Sequence, residues 1–422
     1  MRSLLLLLLL WCVACTSESV DPAPLPPCYE RQPMSADDLC GLLPDACPQL
    51  SGLPAMSDAI TVVPDAANMP SGVTSQASHN NLDIVWHRGR LFFAFRTAPS
   101  HFADDEVVMY VVSTTDQQTW TLETRIALGK DLREPRFLTL GDKLFLYLAR
   151  LGEVTLTFKP EAMMVSEQQA GCMWTEAVDI EPTGEAGFIP WRAREIDGVG
   201  YLIGYVGGEN IYDMASDGIR VHWLRTTDGR SFEPVVPGQS VVLSGGVSET
   251  DWAFLDDGGV VAVTRNEAGD DDGFGSKICR APADALGDWT CAPDRKKYDS
   301  PVLFRHGGDV YLIGRRQVAN DGYFDLERDD LPFEDRGVEY QTTYWSTPKR
   351  CALWRVEPDT LSVEWLLDLP SNGDTCFASV LPLSSQHYLV YNYTSPLNPP
   401  DLAWNDGQWG STYIYRLTLM LP

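Results

Sequence analysis

The stretch SETDWAFLDDGGVVAVTRNE, residues 248–267, decides the fold. An acidic pair, Glu249 and Asp251, opens an apolar run. An Asp-Asp-Gly-Gly turn reverses it, and a β-rich return ends on Arg265. Alternating apolar residues around a glycine-containing turn predict a β-hairpin. Antiparallel pairing brings Glu249 and Arg265 to the same end of it.

The same design recurs. First strands are expected near NNLDIVW (80–86), REPRFLTL (133–140), IPWRAREI (189–196), ETDWAFL (249–255), DSPVLF (299–304) and TCFASVL (375–381). Each is followed by a turn and a second strand: RLFFAFR (90–96), LFLYLAR (144–150), YLIGYVGG (201–208), VVAVTR (260–265), VYLIGRR (310–316) and YLVYNY (388–393). A repeat of roughly 50 to 75 residues signals a propeller, and six repeats predict an all-β, six-bladed β-propeller over residues 58–422. The last repeat, ending STYIYRLTLML (411–421), has three clear strands, and AITVVP (59–64) has no repeat of its own. That N-terminal segment is the expected outer strand closing the ring.

A net charge of −27 over 422 residues argues against nucleic-acid binding, which needs a basic face. Residues 1–14, MRSLLLLLLLWCVA, read as a signal peptide whose apolar run is too short to span a bilayer. The ending Val13-Ala14-Cys15 resembles the lipobox of bacterial lipoproteins, although Cys12 stands where that pattern has Leu. The resemblance implies lipidation at Cys15, a Cys-containing tether over residues 15–57 and, because Thr16 follows, sorting to the outer membrane. Ordinary signal-peptide cleavage, giving a secreted or periplasmic protein, is the alternative. The chain is expected to be a monomer touching the membrane through its anchor alone. Eight cysteines follow Cys15; an even count in an exported chain suggests disulfides. Cys279 with Cys291 and Cys351 with Cys376 are the expected pairs, and Cys28, Cys40, Cys47 and Cys172 would form two more of open connectivity. No metal or cofactor is called for, although Asp270-Asp271-Asp272 admits calcium as a secondary reading.

In a propeller, the starts of first strands and the ends of second strands meet around the mouth of the central channel. That rim carries Asn81 and Asp83 with Arg96, then Arg133, Glu134 and Arg136 with Arg150. It continues with Trp191 and Arg192 opposite Tyr205, and Glu249 and Asp251 opposite Arg265. Asp299 faces Arg315 and Arg316, and Asp374 faces Tyr391 and Tyr393. Guanidinium groups bind carboxylates bidentately, so an anionic carbohydrate is the expected ligand; blade-to-blade ion pairing is the structural alternative. Long rim loops, above all Gln317 to Pro348 with its six aromatic residues, offer faces for sugar rings.

STTDQQTW (113–120) and RTTDGRSF (225–232) resemble the Asp-box turns of sialidases and related propellers, with one residue fewer between Asp and the aromatic. Over about residues 78–420 the chain resembles the sialidase superfamily, and SETDWAFLDDGGVVAVTRNE and DSPVLFRHGGDVYLIGRR carry much of that likeness. SHNNLDIVWHRGRLFFAFRTAP, DLREPRFL and LPSNGDTCFASV resemble a subgroup of bacterial sialidase-like propellers. The resemblance implies that Glu249 and Arg265 fall on a catalytic Glu and a carboxylate-binding Arg, and that Arg315 or Arg316 is a further carboxylate ligand. Asp83 or Glu134 would be the acid/base. Two departures stand out. The Phe/Tyr-Arg-Ile-Pro motif is replaced by SHNNLDI, and Phe377 occupies the place of the nucleophilic Tyr. Two readings follow: a glycoside hydrolase or lyase acting on an acidic glycan, or a non-catalytic propeller binding a glycan or a protein. Either requires Glu249, Arg265, Arg315 or Arg316, and Asp83 to share one cavity.

Overall fold

A computed structural model describes residues 52–64, 69–170, 172–210, 218–398 and 401–422. The signal peptide, Cys15, nearly all of the tether, and Cys28, Cys40 and Cys47 lie outside the described residues.

Six antiparallel sheets form the blades of a β-propeller. Their innermost strands are Leu82–His87, Asp131–Leu140, Ile189–Ile196, Val247–Phe254, Asp299–His306 and Ser379–Pro382, opening blades I to VI. The second strands are Arg90–Thr97, Lys143–Leu151, Val199–Val206, Val260–Asp270, Asp309–Gln317 and His387–Thr394. They lie between flanking blades, which is why they read as near-continuous apolar runs such as LFFAF and LFLYLA. In the sixth sheet, Ile60–Val63 and Ala55–Met56 both pair with the last strand, Tyr413–Met420. The N-terminal segment therefore closes the ring, as its sequence predicts. Both expected disulfides form: Cys279–Cys291 within blade IV, and Cys351–Cys376 between blade V and the entry to blade VI.

The two Thr-Thr-Asp turns share one local design. Asp116 Oδ1 accepts from the amides of Gln118 and Thr119 at 2.8 and 2.7 Å, and Asp228 Oδ1 from those of Arg230 and Ser231 at 2.8 and 2.7 Å. These amide bonds pull the Asp228 pKa down to about 2. Asp270 and Asp272 both bond the Lys277 ammonium at 2.7 Å, so a cation already balances this acidic loop.

Neighbouring inner strands share no ladder, so side chains bridge them. Asp251 is the clearest case. Its carboxylate accepts from Arg194 of blade III at 2.6 and 2.8 Å, from its own strand at Trp252 N, and from Leu303 N of blade V, both at 2.7 Å. Arg192 Nε lies 3.2 Å away. Asp83 does the same between blades II and VI, accepting from Phe137 N at 2.8 Å and Ser379 Oγ at 2.7 Å. Truncating one partner of a buried charge pair leaves the others uncompensated, at a cost of about 3–5 kcal/mol. Asp251→Ala is expected to destabilise the propeller by that order, read as a lowered urea midpoint at unchanged slope.

Candidate functional site

A cavity of about 430 Å³ opens at the mouth of the channel, within the usual ~300–1,000 Å³ range of ligand sites. Asn81, Glu134, Glu249 and Ser300 line it from the inner strands and their entries, and Tyr205, Arg265, Arg315 and Tyr393 from the second strands. Loops supply His101, Phe102 and Phe158. Two short helices complete the wall: α1 (Phe333–Trp345) ends at Trp345, and α2 (Trp404–Trp409) contributes Trp404 and Gln408.

Local backbone irregularity aims several of these groups. The register slips between Arg133 and Arg136, Pro190 and Arg192, Val247 and Thr250, and Asp299 and Val302, at corresponding places in blades II to V. Such bulges re-aim side chains. Glu134 (φ 50°) and Ser300 (φ 53°) are left-handed there, and Asn81 (φ 56°) and Cys376 (φ 78°) are left-handed at the entries to blades I and VI. A non-glycine residue pays strain for that conformation, and such strain concentrates at functional sites.

Glu249 and Arg265 meet as the hairpin predicts, Oε1 to guanidinium at 2.9 Å, while Glu249 Oε2 accepts from Ser300 N at 2.7 Å. Arg265 also contacts Glu267 at 3.2 Å and Ser248 Oγ at 2.9 Å. Burial works against the Arg265 charge, but Glu249 and Glu267 outweigh it and hold the group cationic. Arg315 binds Asp299 at 3.1 Å and donates to Thr375 O at 2.6 Å, with its guanidinium 4.7 Å from the Trp404 ring centre. Arg133 binds Asp131 at 2.6 Å and donates to His101 O at 2.9 Å.

Glu134 stands apart from the other carboxylates. Its Oε2 is buried without a hydrogen-bond partner among the described residues, the nearest cation being Arg136 at 3.6 Å. Burial lifts its pKa to about 7 against the pull of Arg136, and the Glu249 charge adds to the rise. Burial likewise raises Glu249. Two buried carboxyl groups with raised pKa thus share a cavity with three arginines. Beneath them, Arg136 lies 4.4 Å from the Phe377 ring centre and 5.1 Å from that of Trp191. The Tyr393 hydroxyl donates to Asp374 at 2.8 Å; burial and then that carboxylate push its pKa well up, so it is a neutral phenol. Asp374 also holds His101 at 2.7 Å and Trp404 Nε1 at 3.2 Å.

Of the residues singled out from sequence, Glu134, Glu249, Arg133, Arg265, Arg315 and Tyr393 line the cavity. The others do not. Asp83 is bonded between blades, so the expectation that it shares the cavity with Glu249, Arg265 and Arg315 is corrected. Arg96 is fully buried (0% exposed) and clamps Asp131, Asn80 and the Phe102 carbonyl. Arg136 and Trp191 form the layer below, Arg192 and Asp251 pair between blades, and Asp374 braces Tyr393 from behind. Tyr391 is buried against Gln117, and Arg150 pairs with Glu161 and Asp179. Arg316 turns away to Asp368. The Gln317–Pro348 loop is also corrected: Phe324, Tyr340 and Tyr344 pack with Phe274 and Trp404 into a small core, and of its six aromatics only Trp345 lines the cavity. Trp404, Gln408 and Phe158 escaped the sequence reading because the repeat pattern does not register the loops that bear them.

No family model and no curated protein matches the chain. Solved structures do. A protein of unknown function from Dyadobacter fermentans superposes with a TM-score of 0.59 at 14% identity, covering 88% of this chain and all of its own. Trypanosoma rangeli sialidase, solved with sialic acid, gives 0.53 at 12% identity over 87% of this chain. Phage phi92 endosialidase gives 0.55 at 11% identity, covering 83% of this chain and 68% of its own. The chain spans about three fifths of the Trypanosoma enzyme's length, 59%. The fold is that of a sialidase-like six-bladed propeller.

A carboxyl whose folded pKa lies above its unfolded value binds more protons when folded. Its effect on stability therefore worsens as pH rises, here from about 4.5 through about 7. Glu134→Gln is expected to remove that slope, making the variant more stable than the parent at pH 8 with a smaller difference at pH 5. Thermal melts of both proteins across that range check it.

Proposed function

We propose that the channel-mouth cavity recognises a carboxylate-bearing sugar of an acidic glycan. The observation that carries this reading is the convergence of Arg133, Arg265 and Arg315 on one aromatic-walled cavity in a chain of net charge −27. Guanidinium forks match a carboxylate, and Phe102, Phe158, Trp345 and Trp404 offer apolar faces to a sugar ring. The bound sialic acid in the Trypanosoma enzyme supports the ligand class through the shared fold only.

Glu134 and Glu249 favour a second reading, hydrolysis. A carboxyl with a pKa of about 7 is suited to proton donation at neutral pH, and Glu249 would be its partner. Sialidase-type covalent chemistry is disfavoured: Phe377 has no hydroxyl, and Tyr393 is a neutral phenol committed to Asp374. Binding is therefore the primary reading. Lipidation at Cys15 would display the site on the outer membrane.

Titration with a panel of acidic oligosaccharides, alongside 4-methylumbelliferyl sialoside as a turnover probe, separates the readings. Arg265→Ala is expected to weaken glycan binding roughly 10- to 100-fold, the worth of a charge-assisted hydrogen bond. Fluorophore release abolished by Glu249→Gln would instead make the protein a hydrolase, and neither binding nor release would defeat both. Cys15→Ser should shift the protein from the membrane pellet to the soluble fraction; unchanged sedimentation would count against the anchor.

A further inference from the structure

The channel-mouth cavity holds a histidine that neither reading above employs. His101 stands on the loop between the second strand of blade I and the third, Val108–Thr114, and it lines the cavity. Its Nδ1 lies 2.7 Å from Asp374 Oδ2. Burial opposes the Asp374 charge, but His101, Arg315 and Tyr393 outweigh it and hold the carboxyl below the usual carboxylate range. An ionised carboxylate only accepts, so Nδ1 carries the proton, although the Asn80 amide nitrogen also lies 2.9 Å from it. Nε2 is then the bare nitrogen of a neutral imidazole. It forms no hydrogen bond among the described residues and is not sealed from solvent, the side chain being 15% exposed.

The surroundings hold this ring in place. His101 N donates to Gln408 O at 3.1 Å, and Arg133 donates to His101 O at 2.9 Å. The imidazole stands edge-on to Trp404, with ring centres 6.2 Å apart. Arg315 packs on the same indole, its guanidinium 4.7 Å from the ring centre. Two of the three cavity arginines thus adjoin the His101–Asp374 pair. Burial lowers the His101 pKa against the pull of Asp374, which keeps the imidazole neutral near neutral pH. A buried carboxylate that fixes the tautomer and orientation of an imidazole equips it as a general base. Glu249 is not so equipped, because Arg265 and Ser300 N engage both its oxygens.

From this we infer that the cavity cleaves a uronate-containing glycan by β-elimination, with His101 as the base. The inference rests on the carboxylate reading above and narrows its ligand to a sugar whose carboxylate adjoins a carbon bearing hydrogen. A 1,4-linked uronic acid meets that requirement at C5. Sialic acid does not, since its carboxylate sits on the anomeric carbon. Guanidinium groups at the carboxylate stabilise the negative charge that gathers there as the C5 proton leaves. His101 Nε2 takes that proton, the C–H electron pair becomes the C4–C5 double bond, and the C4–O bond breaks with its pair on oxygen. Glu134, which lines the same cavity, protonates the departing oxygen. Proton exchange with water then restores both side chains, and no oxidant or reductant is consumed. Elimination needs no nucleophile, so phenylalanine at position 377 is no obstacle to it.

The probes are 1,4-linked oligomers of galacturonic, glucuronic and mannuronic acid. Binding is followed by saturation-transfer NMR, and the conjugated double bond by ultraviolet absorbance and mass spectrometry. At least one oligomer should bind and yield an unsaturated product. His101→Gln should lower its kcat by roughly 100-fold or more, with KM nearly unchanged and an unaltered melting temperature. Unsaturated product formed equally well by His101→Gln overturns the base. An oligomer that binds, and loses affinity with Arg265→Ala, yet gives no product or only saturated ones, overturns elimination and leaves the carboxylate reading standing. Binding of sialyl oligosaccharides without binding of any uronate overturns the uronate assignment alone. Binding of neither defeats both.

Discussion

The inner strands of this propeller run side by side without hydrogen-bonding one another, and buried side chains must do what a sheet would otherwise do. Asp83, Asp251 and Glu249 each reach across a blade boundary to a backbone amide, those of Phe137, Leu303 and Ser300. Arginines answer them from neighbouring strands. A buried carboxylate is tolerable only when its oxygens are fully engaged, and Asp251, with four hydrogen bonds to its two oxygens, meets that condition. The ring therefore concentrates charged residues near its axis for structural reasons, whatever binds there.

This constraint explains why the candidate site is a subset of the rim. Where a charged group is fully engaged between blades, as Asp83, Arg96 and Asp251 are, it has nothing left to offer a ligand. Where the backbone bulges, the side chain lifts out of the seam. Glu134 contacts the cavity from a left-handed residue and keeps one carboxyl oxygen unengaged among the described residues. The functional and structural uses of the rim are two outcomes of one geometry, separated by a residue or two along each inner strand.

The hairpin period made the fold legible, since turns and apolar runs repeat at every blade and both disulfides bridge elements that this order brings together. The pairing of Glu249 with Arg265 followed from the same register. What could not be read was depth. Asp83 and Glu134 look alike in sequence, and only the backbone at Glu134, in a conformation that its residue type does not advertise, puts one in the cavity and the other in the seam. Arg315 and Arg316 are adjacent, so the alternation of a strand sends them to opposite faces, one to the channel and one away from it to Asp368. The aromatics of the long loop were visible, but their burial around Tyr344 depended on α1 and α2 meeting, a contact between segments distant in sequence.

The first five blades are each built from one continuous stretch of chain, whereas the sixth takes its outer edge from the opposite terminus. The bond from Thr418 N to Ser57 Oγ spans 361 residues. Closing so long a loop carries an entropic cost, although that cost grows only logarithmically with length. Phe377 and Tyr393 belong to this sixth blade and its entry. One wall of the cavity therefore belongs to the one sheet that the two distant segments of the chain build together.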